Sequence, residues 1–363
     1  YLVSGGRDRN VMIVIDSEVR YSTDNCETIN SFSPALSIPS GQRKFDSAIW
    51  QKWLLMGNGR GEQYAIDISG GTPSAANFYL EQPSQPTLAD IGAGNVDTGL
   101  HWYTIVNVVE DGGVPVAFSK RATAQSITLG SAREVRVSGI ADPSDSQITH
   151  KYIYRTKADV VEAGPYYYVG KIAVSGGTTF DDNFTDAQIP TDTTLNLGEF
   201  FANVYEPDWE CAEVLNSRLH AAEQDSNRLY ISQFDGSAEE YIRNFTHFII
   251  IGDQSEPITA IRAITDNLLA VYLPTSIYVV YTDALAESYS VQISPSDVGC
   301  VAPRSVLRYR NTHFFFAPDK KIYQFSGSSS QWISSDVQNE LDAIPDERVD
   351  QVSATIWGND LYV

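Results

Sequence analysis

The side chains able to do chemistry are scattered, and their spacing limits what they can do. The densest acidic group is Asp181, Asp182 and Asp186. Carboxylates gathered this way can hold calcium, or supply one member of a glycosidase pair, whose two acids stand about 5 to 9.5 Å apart. The segment lacks the alternating aspartate, glycine and terminal glutamate order of a calcium loop, and no second acid presents itself as a partner. His101, His150, His220, His247 and His313 are isolated, with no H-x-H or H-E-x-x-H spacing, and read as strand or loop residues rather than metal ligands. Cys26, Cys211 and Cys300 are far apart, without C-x-x-C, and read as free thiols. Gly57-Asn58-Gly59-Arg60-Gly61 would cradle a phosphate only with a helix behind it; the residues that follow, Gln63 to Asp67, read as a strand, so the glycines belong to a hairpin. Gly236-Ser237 lies in a polar loop, not in a nucleophile elbow. Asn183-Phe184-Thr185 and Asn244-Phe245-Thr246 match glycosylation sequons. No catalytic, cofactor-binding or metal-binding residue is assigned, no cofactor is expected, and the chain is not expected to be an enzyme.

The elements that would have to position any site are strands. The 363 residues include 20 tyrosines and 15 phenylalanines but only 2 methionines, a bias toward β structure. The formal net charge of −21 disfavours a grip on phosphate backbones and favours solubility and mutual repulsion of copies. The apolar run Val11 to Ile15 is far too short to cross a bilayer, and no membrane insertion is expected. The chain starts at Tyr1 and stops at Val363 within a strand-like phrase, so both ends are expected to be limits of a fragment.

A phrase of polar residue, apolar residue and tyrosine recurs: Arg228-Leu229-Tyr230, Ser276-Ile277-Tyr278, Lys321-Ile322-Tyr323 and Asp360-Leu361-Tyr362, the tyrosines 48, 45 and 39 residues apart. Paired short strands at such a period predict propeller blades. Residues 7–36 and 45–67 supply earlier blade material, including Ala48-Ile49-Trp50 and Trp53-Leu54-Leu55-Met56. A stretch rich in Pro, Ser and Gly, from Gly70 through Pro83 and Pro86 to Gly92–Gly94, reads as a linker. Between it and about residue 199, six or seven short strands follow one another, the rhythm of an immunoglobulin or fibronectin type III-like β-sandwich. Tyr64 and Tyr230 are 166 residues apart, and removing roughly 122 residues of linker and sandwich restores about one blade period. The expected fold is all-β: a β-propeller interrupted by an inserted sandwich, with propeller at 1–77, linker and sandwich at 78–199, propeller again at 200–363, and a short helix near 337–344.

Two resemblances follow. Ser22-Thr23-Asp24-Asn25-Cys26-Glu27-Thr28-Ile29 resembles the Asp-box of sialidase-type propeller repeats, with cysteine in the glycine place and isoleucine in the tryptophan place; the resemblance implies that Asp24 caps a turn. Trp102-Tyr103-Thr104, Glu110-Asp111-Gly112, Val135 to Ile140, Tyr152 to Thr156, Tyr166 to Gly170 and Phe180-Asp181-Asp182, with the propeller-like flanks, resemble the tail nozzle (packaged-DNA stabilisation or tail tubular) proteins of short-tailed phages. That family implies a structural virion protein of the tail, assembled in the host cytoplasm as a homo-hexamer around the DNA exit channel. Its partners are a head-to-tail adaptor protein, tail fibres or a spike, and genomic DNA that passes without specific binding. The acidity agrees with a channel wall that repels phosphate. The alternative is a carbohydrate-binding or glycoside-cleaving propeller with Trp50 or Trp53 as stacking surfaces.

Overall fold

The computed structural model describes residues 2–5, 8–15, 18–24, 26–37, 45–61, 63–70, 72–189, 205–232, 243–253, 256–282, 289–357 and 360–363. The expected boundary at 199/200 and the Gly236-Ser237 pair lie outside them, as does Asn25. The fold is all-β, built of antiparallel sheets. Two compact units are present. One comprises Tyr1–Phe78, Pro207–Gly236 and Phe248–Val363; the other comprises Tyr79–Glu206 and Ser237–His247.

The first unit repeats one motif, a four-stranded meander in which each strand pairs with the next in sequence. Sheet one holds Leu2–Gly5, Asp8–Ile15, Glu18–Ser22 and Asn30–Ser37; sheet two holds Asp46–Trp50, Trp53–Gly57, Gln63–Asp67 and Ser74–Asn77. Sheet three holds Trp209–Leu215, Arg218–Glu223, Arg228–Ser232 and Phe245–Ile250. Sheet four holds Ala260–Thr265, Leu268–Tyr272, Ile277–Thr282 and Tyr289–Ile293; sheet five holds Leu307–Tyr309, Thr312–Phe316, Ile322–Phe325 and Ser330–Trp332. A two-stranded sheet, Thr355–Trp357 with Asp360–Tyr362, ends the series. Tyr230, Tyr278 and Tyr323 fall on the third strands of sheets three to five. The apolar runs before the phrases form second strands such as Leu268–Tyr272, buried from Leu269 to Tyr272 because a strand flanked within its sheet and covered on both faces has no polar side. Hairpin chemistry is local: Asn216 and Ser217 both take positive φ, 51° and 60°, between the paired residues Leu215 and Arg218, the geometry of a two-residue type I′ turn. The short helix expected near 337–344 is the α-helix Gln338–Asp342, preceded by a 3-10 turn, Ser335–Val337.

The first strands of sheets two, three, four and five lie side by side in that order, although sheets two and three are separated in sequence by the whole stretch from Phe78 to Pro207. One residue pins both ends of that excursion: the Gln63 carbonyl accepts Phe78 N–H at 2.9 Å, and Gln63 Nε2 donates to Pro207 O at 3.0 Å. Trp209 then fills the seam. It is fully buried, meets Phe78 edge-on at 5.8 Å, and lies so close to Gly57 that a Cβ there would stand 2.6 Å from its ring. Its carbonyl accepts Gly59 N–H at 2.8 Å.

In the second unit, Val114–Phe118, Gly99–Asp111, His150–Arg155 and Tyr167–Ala173 form one sheet, to which Gln125–Leu129 adds beside Gly99–Asp111. Thr87–Val96, Arg133–Ser138 and Phe180–Asp182 form another. Their inward residues share one core: Val96, Val135 and Val137 from the smaller sheet meet Tyr103, Ile105, Ile153 and Val169 from the larger. The segment Gly92–Gly94, expected in a linker, lies instead inside the ten-residue strand Thr87–Val96. Glycine is used there because the register slips opposite Glu134/Val135, Gly92 takes φ 134°, and a Cβ on Gly94 would stand 2.3 Å from Glu134 N. Composition alone does not tell a bulged strand from a loop.

Trp209→Ala removes the side chain that fills the seam, and the expected cost is about 3–5 kcal/mol, measured as a lower urea midpoint in far-ultraviolet circular dichroism.

Candidate functional site

Four charged side chains come from the first strands of four consecutive sheets: Asp46, Glu213, Arg262 and Arg308. Asp46 and Arg262 form a bidentate ion pair, Nη1 to Oδ2 at 2.9 Å and Nη2 to Oδ1 at 3.1 Å. Asp46 Oδ2 also accepts Ala212 N–H at 3.1 Å, so one carboxylate ties sheet two to sheets three and four. Arg262 Nη1 donates in addition to Ile261 O at 2.8 Å. Burial works against the charge on Arg262, but the carboxylates of Asp46 and Glu213 outweigh it and hold the guanidinium more firmly protonated than usual. Glu213 stands next to this pair. Burial pushes its carboxyl up to about 7 and the Asp46 carboxylate adds to the push, against the pull of Arg262, Arg308 and the Ala263 N–H. Glu213 therefore exchanges a proton near neutrality in the field of two guanidinium groups, the property a general acid or base requires. Arg308 is exposed, its Nε donating to Arg310 O at 2.9 Å.

Behind the group lies a buried tyrosine–histidine pair. His313 Nε2 is 3.0 Å from the Ala263 carbonyl, which can only accept, so Nε2 carries the proton and Nδ1 accepts from the Tyr272 hydroxyl at 2.8 Å. Burial pushes His313 down to about 4 and the imidazole stays neutral.

A second polar network sits in the core of the other unit. Arg155 and Asp182 are both fully buried, with Nε 3.3 Å from Oδ2, and Tyr103 O–H donates to the same Oδ2 at 2.8 Å. Arg155 Nη2 donates to Phe184 O and Asp186 Oδ1, each at 3.1 Å. Asp186 Oδ2 accepts Ala158 N–H at 2.7 Å, and its own N–H reaches Asp97 Oδ2 at 2.7 Å. Burial raises the Asp182 carboxyl, opposed by Arg155, and it raises the Tyr103 hydroxyl as well. This network ties Gly99–Asp111, His150–Arg155 and the loop after Phe180–Asp182 together.

Of the acids Asp181, Asp182 and Asp186, the last two thus meet on Arg155 and the first does not join them. Asp181 faces outward in a bidentate pair with Arg136, 2.7 Å on both arms. Among the described residues no group of three His, Cys, Asp or Glu side chains has metal-holding geometry. His101 is buried between the carbonyls of Asp97, 2.8 Å, and Thr156, 3.2 Å; His150 contacts Thr149 Oγ1 at 3.0 Å, His220 is buried opposite Glu213 in the strand register, and His247 is half-buried. Cys26 is exposed, Cys211 and Cys300 are buried, and all three are free thiols, with burial pushing Cys300 up to about 11. The Gly57–Gly61 turn leads into the strand Gln63–Asp67. Asn183 is exposed and accepts Asn95 N–H, whereas Asn244 is buried and donates to Phe118 O. Trp50 and Trp53 face each other across a hairpin, and Lys52 Nζ lies 5.4 Å over the Trp53 ring. At the Asp-box-like turn Asp24 Oδ1 accepts from Ser22 Oγ at 2.6 Å and Thr28 N–H at 2.9 Å, which hold its carboxyl down at about 2. Cys26, in the glycine place, takes φ 71°.

Asp46, Glu213, Arg262 and Arg308 belong to no motif, and sequence reasoning missed them. A signal does exist: they precede Tyr64, Tyr230, Tyr278 and Tyr323 by 18, 17, 16 and 15 residues. Each is a charge in the first strand of a repeat otherwise recognised by its third.

No family model matches the chain, and no curated protein matches it. Among solved structures it is similar to Citrobacter koseri AztD (TM-score 0.32, 10% identity, 92% of this chain and 84% of that one), Kluyveromyces lactis Hsv2 (0.26, 10%, 82% and 76%) and Saccharomyces cerevisiae Sqt1 (0.25, 12%, 80% and 84%). Likeness this weak carries no argument about function.

An acid whose folded value is raised stabilises the fold below its unfolded value of 4.5, and that contribution is lost as pH rises through about 7. Glu213→Gln is expected to flatten the fall in melting temperature across this window, read by thermal melts at stepped pH. Asp182→Ala leaves the buried Arg155 charge with Asp186 as its one remaining carboxylate and is expected to cost up to about 3–5 kcal/mol; combining it with Arg155→Met is expected to recover part of the loss, measured by urea denaturation.

Proposed function

We propose that this chain is a structural virion protein of the tail-nozzle type: a β-propeller interrupted by a fibronectin type III-like sandwich, six copies of which ring the DNA exit channel of a short-tailed phage, retain the packaged genome and pass it at ejection. The observation that carries the reading is the interruption. The meander series breaks off after Phe78 and resumes at Pro207 with its first strands still side by side, and the intervening unit has two facing antiparallel sheets. This is the arrangement that the family resemblance implies. The net charge of −21 supports it, since an acidic wall lets DNA slide without gripping it. The ion pairs at Asp46–Arg262 and Arg155–Asp182 join strands from different sheets or bury charge in a core, as befits a load-carrying part. In this role the chain meets a head-to-tail adaptor and tail fibres or a spike, resides in the virion tail after assembly in the host cytoplasm, and needs neither cofactor nor catalytic residues.

The glycan-binding or glycoside-cleaving alternative rests on the turn at Asp24, whose hydrogen bonds close the hairpin itself. Trp53, one of its stacking surfaces, has Lys52 over its ring. The two readings separate on symmetry, because a head-to-tail interface must close into a ring. Electron microscopy of the protein in its native assembly is expected to give six-fold rings with a central channel; discrete monomers or dimers would sink the proposal.

A further inference from the structure

The fourth strand of each meander is an edge, and edges in natural sheets are protected by shortness, proline, charge or irregular pairing. Asn30–Ser37 contains Pro34 and pairs across a register shift. Ser74–Asn77 and Ser330–Trp332 span only four and three residues. Phe245–Ile250 starts where the Phe245 carbonyl accepts Tyr205 N–H at 2.9 Å. Tyr289–Ile293 has none of these devices. Its five residues, Tyr-Ser-Val-Gln-Ile, include no charge, proline or glycine, and they pair without a slip from Thr282↔Tyr289 to Tyr278↔Ile293. Among the described residues no strand pairs with its outer side.

The side chains show what is uncovered. Tyr289, Val291 and Ile293 lie on the face shared with Thr282, Val280 and Tyr278, toward the core between sheets three and four. Val280 is fully buried, but Val291 is 36% and Ile293 62% exposed, because they stand on the last strand of the sheet, with no further strand paired beside it among the described residues. One more strand would cover them. Asp297 is exposed just past the end of this edge, in a chain that carries an excess of acids.

We infer that the edge Tyr289–Ile293 is a strand-addition site for an extended segment of a partner protein, apolar at alternate positions and basic at the end beside Asp297. Main-chain hydrogen bonds would supply affinity, and the alternation would supply specificity. Charge argues for a partner rather than a second copy. Two copies paired along this edge would each bring a net charge of −21 to the contact, whereas a basic-ended segment meets Asp297 with the opposite sign. The inference does not depend on the nozzle reading.

The probe is a fluorescent heptapeptide of alternating valine and threonine with lysine at each end, titrated against the full chain and followed by anisotropy. Saturable binding is expected, weakened about ten-fold or more by Ile293→Lys, a loss of at least one decade in Kd. Hydrogen exchange should show new amide protection confined to Ser290–Ile293. Ile293 is exposed enough for the lysine to leave the fold intact, which a thermal melt checks, and Val291→Lys repeats the test one contact further in. No saturable binding, equal binding by Ile293→Lys, or protection elsewhere would overturn the inference. Wild-type dimers dispersed by Ile293→Lys in sedimentation would also overturn it, in favour of a second copy as the occupant.

Discussion

The bidentate pair between Asp46 and Arg262 is the contact on which the first unit turns. Meander sheets hold themselves together through neighbouring strands, but nothing in that ladder makes one sheet stay beside the next. Here a single carboxylate reaches the main chain of sheet three and the guanidinium of sheet four while standing on sheet two. Its partner residues are half-buried, where an ion pair is screened less than at an open surface. Glu213 stands alongside this clamp, its carboxyl raised by burial and by the Asp46 carboxylate against the pull of Arg262.

The second unit uses a different device for the same end. Arg155 and Asp182 are too deeply buried to tolerate separation, and every added hydrogen bond around them, from Tyr103, Phe184 and Asp186, fixes the geometry further. A buried network of this kind specifies one arrangement of strands more than it adds stability. In both units the polar chemistry therefore acts on architecture, and the apolar cores provide the bulk of the burial.

The repeat was legible because tyrosine marks the third strand of successive meanders, and the alternating Glu134 to Ser138 declared its facing because Val135 and Val137 turn inward. The strand Thr87–Val96 was not legible, since its glycines answer to a close crossing of Glu134 that no local pattern encodes. Nor did the sequence single out Asp46 and Arg262, which are 216 residues apart and meet only when the sheets are laid side by side. Asp182 stood in a conspicuous acidic run, yet its neighbour Asp181 points the other way, as strand alternation requires, and the run divides between Arg136 outside and Arg155, which Asp182 shares with Asp186.

Gln63 holds Phe78 with its carbonyl and Pro207 with its side chain, so the chain departs and returns at one point after 128 residues. The entropy of closing a loop grows only with the logarithm of its length: replacing a ten-residue connection by one this long costs about 2 kcal/mol. That is less than the burial of Trp209 alone contributes at the same seam, about 3–5 kcal/mol by the loss expected on truncation. The length of the excursion is therefore nearly neutral to the sheets on either side of it, and this junction is a place where descent can lengthen, shorten or exchange what the chain carries while the meanders remain as they are.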